Sequence, residues 1–244
     1  MRLKTLKDII GYRIRAKDGD FGKVRDFFFD DHSWTIRYVV ADTGHWLPGR
    51  QVLLAPVEVS DADTAGRLLV VSLTQQQIAG SPSVETDLPV SRQQESELAA
   101  YYGWEPYWGT LGGPAVGVLV PAQTAKAVQT AHGDPHLRSV MESTGYHIQA
   151  SDGEIGHVDD YIAQSDDFGI RYLVVSTRNL LPGHKVLVSP AWVQSFDWAN
   201  ATVHLDLTRE EIKNAPRFDP NAPVDRSYEK LLHEHYRRPP YWED

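Results

Sequence analysis

Cysteine is absent from the 244-residue chain. That absence excludes disulfides, thiolate metal sites and cysteine nucleophiles together. Positive charge is scarce: 24 Lys and Arg stand against 33 Asp and Glu, a formal net charge of −9. A nucleic-acid coat or an anionic-membrane binder needs a positive field, so direct nucleic-acid binding is not expected. Long apolar runs are missing too. The stretch Met1-Arg2-Leu3-Lys4-Thr5-Leu6-Lys7 is charged, and no signal-like apolar segment follows it. Nothing approaches the ~18–20 apolar residues of a spanning helix. The expectation is a cytoplasmic protein with no transmembrane segment. Phosphate loops of the G-x-x-x-x-G-K-[ST] and G-x-G-x-x-G types are absent, as is G-x-S-x-G.

What is there is a folded-protein composition, 41% apolar and 23% charged. The length suits one large domain or two of about 100–120 residues. A repeat decides between them. Shifted by 134 residues, the sequence aligns with itself without gaps. Gly11-Tyr12 falls on Gly145-Tyr146, and Asp18-Gly19-Asp20-Phe21-Gly22 on Asp152-Gly153-Glu154-Ile155-Gly156. Ile36-Arg37-Tyr38-Val39-Val40 falls on Ile170-Arg171-Tyr172-Leu173-Val174, and Pro106-Tyr107-Trp108 on Pro240-Tyr241-Trp242. About a third of positions from Leu3 to Trp108 are identical. The period exceeds that of a solenoid repeat, ~20–50 residues, so it reads as a duplicated domain. Repeat 1 covers 1–108 and repeat 2 covers 136–244. The Gly/Ala/Pro-rich stretch 109–135 reads as a linker, with Val116-Gly117-Val118-Leu119-Val120 as a segment that could dock.

Each copy is strand-rich. Gly11 to Ala16 and Phe21 to Asp31 flank Lys17-Asp18-Gly19-Asp20, a hairpin signal because Gly tolerates positive φ. Trp34 to Asp42, Arg50 to Ala55 and Arg67 to Leu73 follow as strands, then short helices capped by Thr74 and Thr208. Ser91 to Tyr102 and Asp225 to Tyr236 read as the last helices. Short strands closing a small sheet and followed by a helix imply a small barrel. A turn near Asp31-His32 sets Asp26 opposite Arg37 and, in the second copy, Asp160 opposite Arg171. Cross-strand ion pairs Asp26–Arg37 and Asp160–Arg171 are therefore predicted as register pins, each worth roughly 0.2–1 kcal/mol.

Phe21-Gly22-Lys23-Val24-Arg25-Asp26, followed by the run from Ile36 through Leu47-Pro48-Gly49 to Leu54, resembles a PRC-barrel domain. The second copy is similar through Ile155 to Asp160 and Ile170 to Thr177, and departs at Asn179-Leu180 where the first has His45-Trp46. The resemblance implies a mainly β fold: two small PRC-type β-barrels related by internal duplication, each followed by short α-helices. Known settings of this family include the cytoplasmic domain of the photosynthetic reaction centre H subunit and the C-terminal domain of the ribosome maturation factor. Both work between proteins. The resemblance therefore implies a non-enzymatic protein–protein adaptor without a cofactor, associated peripherally with a photosynthetic or redox membrane complex. The alternatives are a ribosome or RNA-processing accessory module and small-molecule binding at the barrel–barrel interface.

Local chemistry adds little. His233 and His235 are two apart in a helix, so they point in different directions and share no metal; a surface position is expected for both. His132 and His136 read as a chance pair beside the linker. Asp18-Gly19-Asp20 and Asp61-Ala62-Asp63 lack the calcium-loop pattern and read as turns. The repeated aromatic ends form the candidate interaction surface: Trp104, Tyr107, Trp108, Arg237, Tyr241 and Trp242. The competing reading is that each tail packs its rings onto a barrel. Two copies are expected to meet across a pseudo-twofold contact, with further self-association through the tails.

Overall fold

Arg13–Ala16 buries Ile14 and Ala16 and turns Arg13 and Arg15 to solvent, the period-2 pattern of a half-buried strand. Patterns of this kind build both halves of the computed structural model, which describes residues 3–44, 49–82, 92–107, 137–177 and 184–243. The linker segment 109–135, Trp108, His132, His136, His45-Trp46 and Asn179-Leu180 lie outside them. The first half runs β1 (Leu3–Thr5), α1 (Leu6–Ile9), β2 (Arg13–Ala16), β3 (Gly19–Asp30), β4 (Thr35–Asp42), β5 (Gln51–Leu54), β6 (Val59–Asp63), β7 (Leu68–Val71), α2 (Gln75–Ala79) and α3 (Arg92–Tyr102). The second half repeats that order as β8 (Leu137–Ser139), α4 (Val140–Ser143), β9 (His147–Ala150), β10 (Gly153–Gln164), β11 (Ile170–Ser176), β12 (Lys185–Val188), β13 (Val193–Asp197), β14 (Thr202–Leu205), α5 (Arg209–Lys213) and α6 (Arg226–Tyr236).

The chain is mainly β, in two similar seven-stranded sheets ordered β5-β4-β3-β2-β7-β6 and β12-β11-β10-β9-β14-β13. The expected barrels do not close. Among the described residues no ladder joins β5 to β6 or β12 to β13. Between each pair the chain makes a single 3-10 turn beginning at Pro56 or Pro190, and proline brings no N–H to a ladder.

The seventh strand of each sheet comes from the other half. β1 pairs with the end of β10, Leu3 opposite Gln164, and β8 pairs with the end of β3, Leu137 opposite Asp30. The hairpin tips also meet. Ile36 N donates to Phe168 O at 2.9 Å, and Ile170 N donates to Trp34 O at 2.7 Å. Each contact maps onto its partner under the same 134-residue shift, so the halves face one another about a pseudo-twofold axis beside Thr35 and Gly169. One apolar core runs through both, from Leu6 and Phe29 to Tyr161 and Ile170. A smaller cluster, including Phe28, Tyr38 and Leu98, lies beneath α3.

Register corrects the ion-pair prediction. Asp26 lies opposite Val40, three residues beyond Arg37, and Asp160 lies opposite Val174. The hairpin sets Asp30 opposite Thr35, two positions from the expected register, and a bulge opposite Phe28 and Phe29 leaves Arg37 as an extra residue of β4; Arg171 is the same extra residue of β11, opposite Ile162 and Ala163. Turn and bulge together move the register by three positions, so the Asp26–Arg37 and Asp160–Arg171 pairs do not form. Asp61 and Ala62 are likewise strand residues of β6, not a turn; a bulge between Val59 and Asp61 breaks the alternation there.

Two glycines are dictated by close approach. A Cβ on Gly22 would lie 1.9 Å from Asp42 O, and one on Gly156 would lie 2.0 Å from Ser176 O. Both have positive φ, which glycine adopts without strain. The hairpin aspartates have a further task. Asp18 Oδ1 accepts from Gln75 N at 2.8 Å, and Asp152 Oδ1 accepts from Arg209 N at 2.7 Å. Each satisfies a free amide at the start of a helix that Thr74 or Thr208 already caps through a complete capping box.

Candidate functional site: the seam and the aromatic tails

Asp26 and Asp160 hold the seam instead of pairing with arginine. Asp26 is buried; it accepts from Phe27 N at 2.7 Å, from Met141 N at 3.0 Å and from the Ser139 hydroxyl. Asp160 is buried as well, and accepts from Tyr161 N at 2.7 Å and Lys7 N at 3.0 Å. Each carboxylate therefore takes a free amide from the first turn of the other half's short helix, α4 or α1. Burial pushes the Asp26 carboxyl up, and it pushes Asp160 up to about 6. The difference has a visible source. Ser139 donates to Asp26, whereas its equivalent Thr5 turns to Asp8 and leaves Asp160 one hydrogen bond short.

Arg37 and Arg171 serve the tails. Arg37 donates to Ser33 Oγ at 2.9 Å and lies 4.0 Å over the Tyr107 ring; Arg171 donates to Gln164 Oε1 at 3.0 Å and lies 4.7 Å over Tyr241. Tyr107 OH donates to Glu95 and Tyr241 OH to Glu229, both at 2.9 Å. Glu95 and Glu229 are buried and equivalent under the repeat. Tyr172 OH also donates to Glu229, at 3.0 Å, and Arg226 lies 3.2 Å from it. Trp104 stacks on Tyr102 at 4.3 Å and donates to Glu58 at 2.8 Å. Trp242 lies under Arg226 at 3.8 Å and meets the edge of His233 at 5.3 Å. The tails thus fold back on their own halves, leaving Trp104, Tyr107, Tyr241 and Trp242 half-buried. Arg237 is exposed and takes a left-handed conformation at the end of α6.

His233 is not at the surface, correcting the expectation. It is buried between Tyr172, 3.2 Å from Nε2, and Trp192, and burial lowers its pKa. His235 is half-buried at the other side of the helix, with Nε2 2.8 Å from Glu211 O. Glu95 and Glu229 were not singled out from the sequence. The signal for the two glutamates was their coincidence under the repeat, which they share with Arg92 and Arg226, Leu98 and Leu232, and Tyr102 and Tyr236. Asp30, Asp31 and His32 come within metal-ligand reach of one another. Their carboxylates are already engaged: Asp30 by His32 N and Ser33 N, at 2.8 and 3.0 Å, and Asp31 by Arg138 at 2.7 Å.

An outward feature lies beside the first tail. A groove of about 490 Å³ runs between the turn at Pro56-Val57 and the tail residues Trp104, Pro106 and Tyr107. Val57 is 75% exposed there. No helix among the described residues is long and apolar enough to cross a membrane. No family model matches the sequence, and no curated protein matches it.

Proposed function

We propose that the chain is a duplicated PRC-barrel protein that acts as a non-enzymatic protein–protein adaptor. The motif resemblance supports the family. The repeat, the shared element order and the reciprocal seam contacts support the duplication. Asp26, Asp160, Glu95 and Glu229 are engaged in internal hydrogen bonds, so this polar chemistry serves cohesion. The observation that carries the adaptor reading is the Val57 groove. An exposed aliphatic residue beside Trp, Tyr, Pro and Arg has the composition of an interface centre. By the family resemblance, the partner is a subunit of a membrane-bound photosynthetic or redox complex, bound peripherally.

Affinity capture from membrane and soluble lysate fractions tests this. The wild-type chain is expected to retain subunits of such a complex, Val57→Asp to lose them, and Leu231→Asp, altered at an exposed site on α6, to keep them. Retention of the same proteins by Val57→Asp, or of no such subunit by the wild type, would overturn the proposal.

A further inference from the structure

The seam is symmetric in its backbone and asymmetric in its side chains. On one side of the axis Phe29, Trp34 and Phe196 pack together, with ring centroids 5.5 Å apart for Phe29–Trp34 and 5.6 Å apart for Trp34–Phe196. Tyr161 joins them 5.4 Å from Phe29. Under the 134-residue shift the same positions on the other side are Ala163, Phe168, Ala62 and Phe27. Two large rings have become methyl groups. Where they would lie, a cavity of about 260 Å³ is lined by Ala62, Ala163 and Phe168 together with Leu6, Ile36 and Val39.

The cavity has a polar end. Lys4 and Gln164 line it. Lys4 Nζ donates to Ala62 O at 2.7 Å and has no other partner among the described residues, so further N–H bonds are free to donate. Gln164 offers Arg171 its Oε1 at 3.0 Å, which leaves its NH2 end as the donor. Asp61 also lines the cavity, and its charge disfavours an anionic occupant. An apolar cavity of ~150 Å³ holds one benzene, and ligand pockets begin near ~300 Å³. We propose that this cavity binds one small neutral molecule, a single ring or its aliphatic equivalent bearing a carbonyl oxygen. Its body replaces the rings that Phe29 and Phe196 supply on the opposite side, and its oxygen accepts from Lys4 and Gln164.

The test is a methyl-labelled titration of the full chain with acetophenone and, separately, ethylbenzene. Acetophenone should shift the methyls of Leu6, Ile36 and Val39 saturably. The equivalents Val140, Ile170 and Leu173 should stay in place, because aromatic rings already fill their side. Ala62→Phe and Ala163→Phe, each installing the residue that the other half carries, should each abolish the shifts in a folded protein. Lys4→Met should weaken acetophenone at least threefold and leave ethylbenzene unchanged. The proposal is overturned by the absence of saturable shifts, by equal shifts in the two halves, by undiminished binding in both filled variants, or by equal loss of both probes in Lys4→Met.

Discussion

Asp160 accepts a hydrogen bond from the backbone N–H of Lys7 at 3.0 Å, across 153 positions of sequence. Asp26 does the same for Met141 at 3.0 Å. Strand exchange places both contacts: β1 lies on β10 and β8 on β3. The carboxylates then act as caps supplied by the opposite half, satisfying amides that helices as short as α1 and α4 leave free. Structure and stability at the seam are coupled through these two groups.

Asp160 makes that coupling pH-dependent. Its folded pKa is about 6, against an ordinary value of about 3.9. Between those values the folded state binds more protons than the unfolded one. Stability from this group is therefore complete below about pH 4 and lost as the pH rises through 6. In Asp160→Asn the amide oxygen keeps both backbone donors, which share a single oxygen, and the buried charge disappears. We expect the variant to be more stable by roughly 1–3 kcal/mol at pH 7.5, with the difference vanishing near pH 4. Urea titrations at the two pH values measure this.

Glu229 anchors the second tail through Tyr172 and Tyr241. In Glu229→Ala two tyrosine hydroxyls lose their acceptor and Arg226 loses its ion partner. We expect a loss of roughly 2–4 kcal/mol, and about 1 kcal/mol for Tyr241→Phe, which removes one hydrogen bond. Denaturant midpoints for the two variants check the order.

Gly22→Ala drives a methyl group to within 1.9 Å of the Asp42 carbonyl, at a φ of +55°. The overlap is with backbone, so no rotamer relieves it. The expected cost is about 3 kcal/mol or more, read as a fall in soluble yield and melting temperature. Gly11→Ala places its methyl group 4.0 Å from its nearest neighbour, the Arg67 guanidinium, at a φ of +86°, and is expected to cost less.

Most of the sheet was legible in the sequence because alternation is local. Strands β2, β3, β4, β5 and β7 lie where the sequence places them, as do the Thr74 and Thr208 caps and the helix that Asp225 starts, whereas β6 was read as a turn. Other features were not. β1 and β8 are three residues long, too short for a period, and their partners lie in the other half. The longer hairpin turn and the bulges at Arg37 in β4 and Arg171 in β11 leave no mark on composition, which is why Asp26 and Asp160 were paired with the wrong strand positions. The cavity depends on a difference between copies, Ala62 against Phe196 and Ala163 against Phe29, whose meaning appears only when the seam brings the four residues to equivalent places. His233 looked polar and exposed because nothing in its helix reveals that Tyr172 and Trp192 enclose it.

The central claim is that the two halves are built to complete one another by exchanging β1 and β8. The most direct measurement is the mass in solution of the second half alone, residues 136–244, by light scattering across a dilution series. Without the first half, β8 has no β3 to join, and the end of β10 lacks β1. A second copy supplies both, so a dimer that unfolds on dissociation is predicted. A stably folded monomer, with Asp160 still at a pKa of about 6, would contradict it.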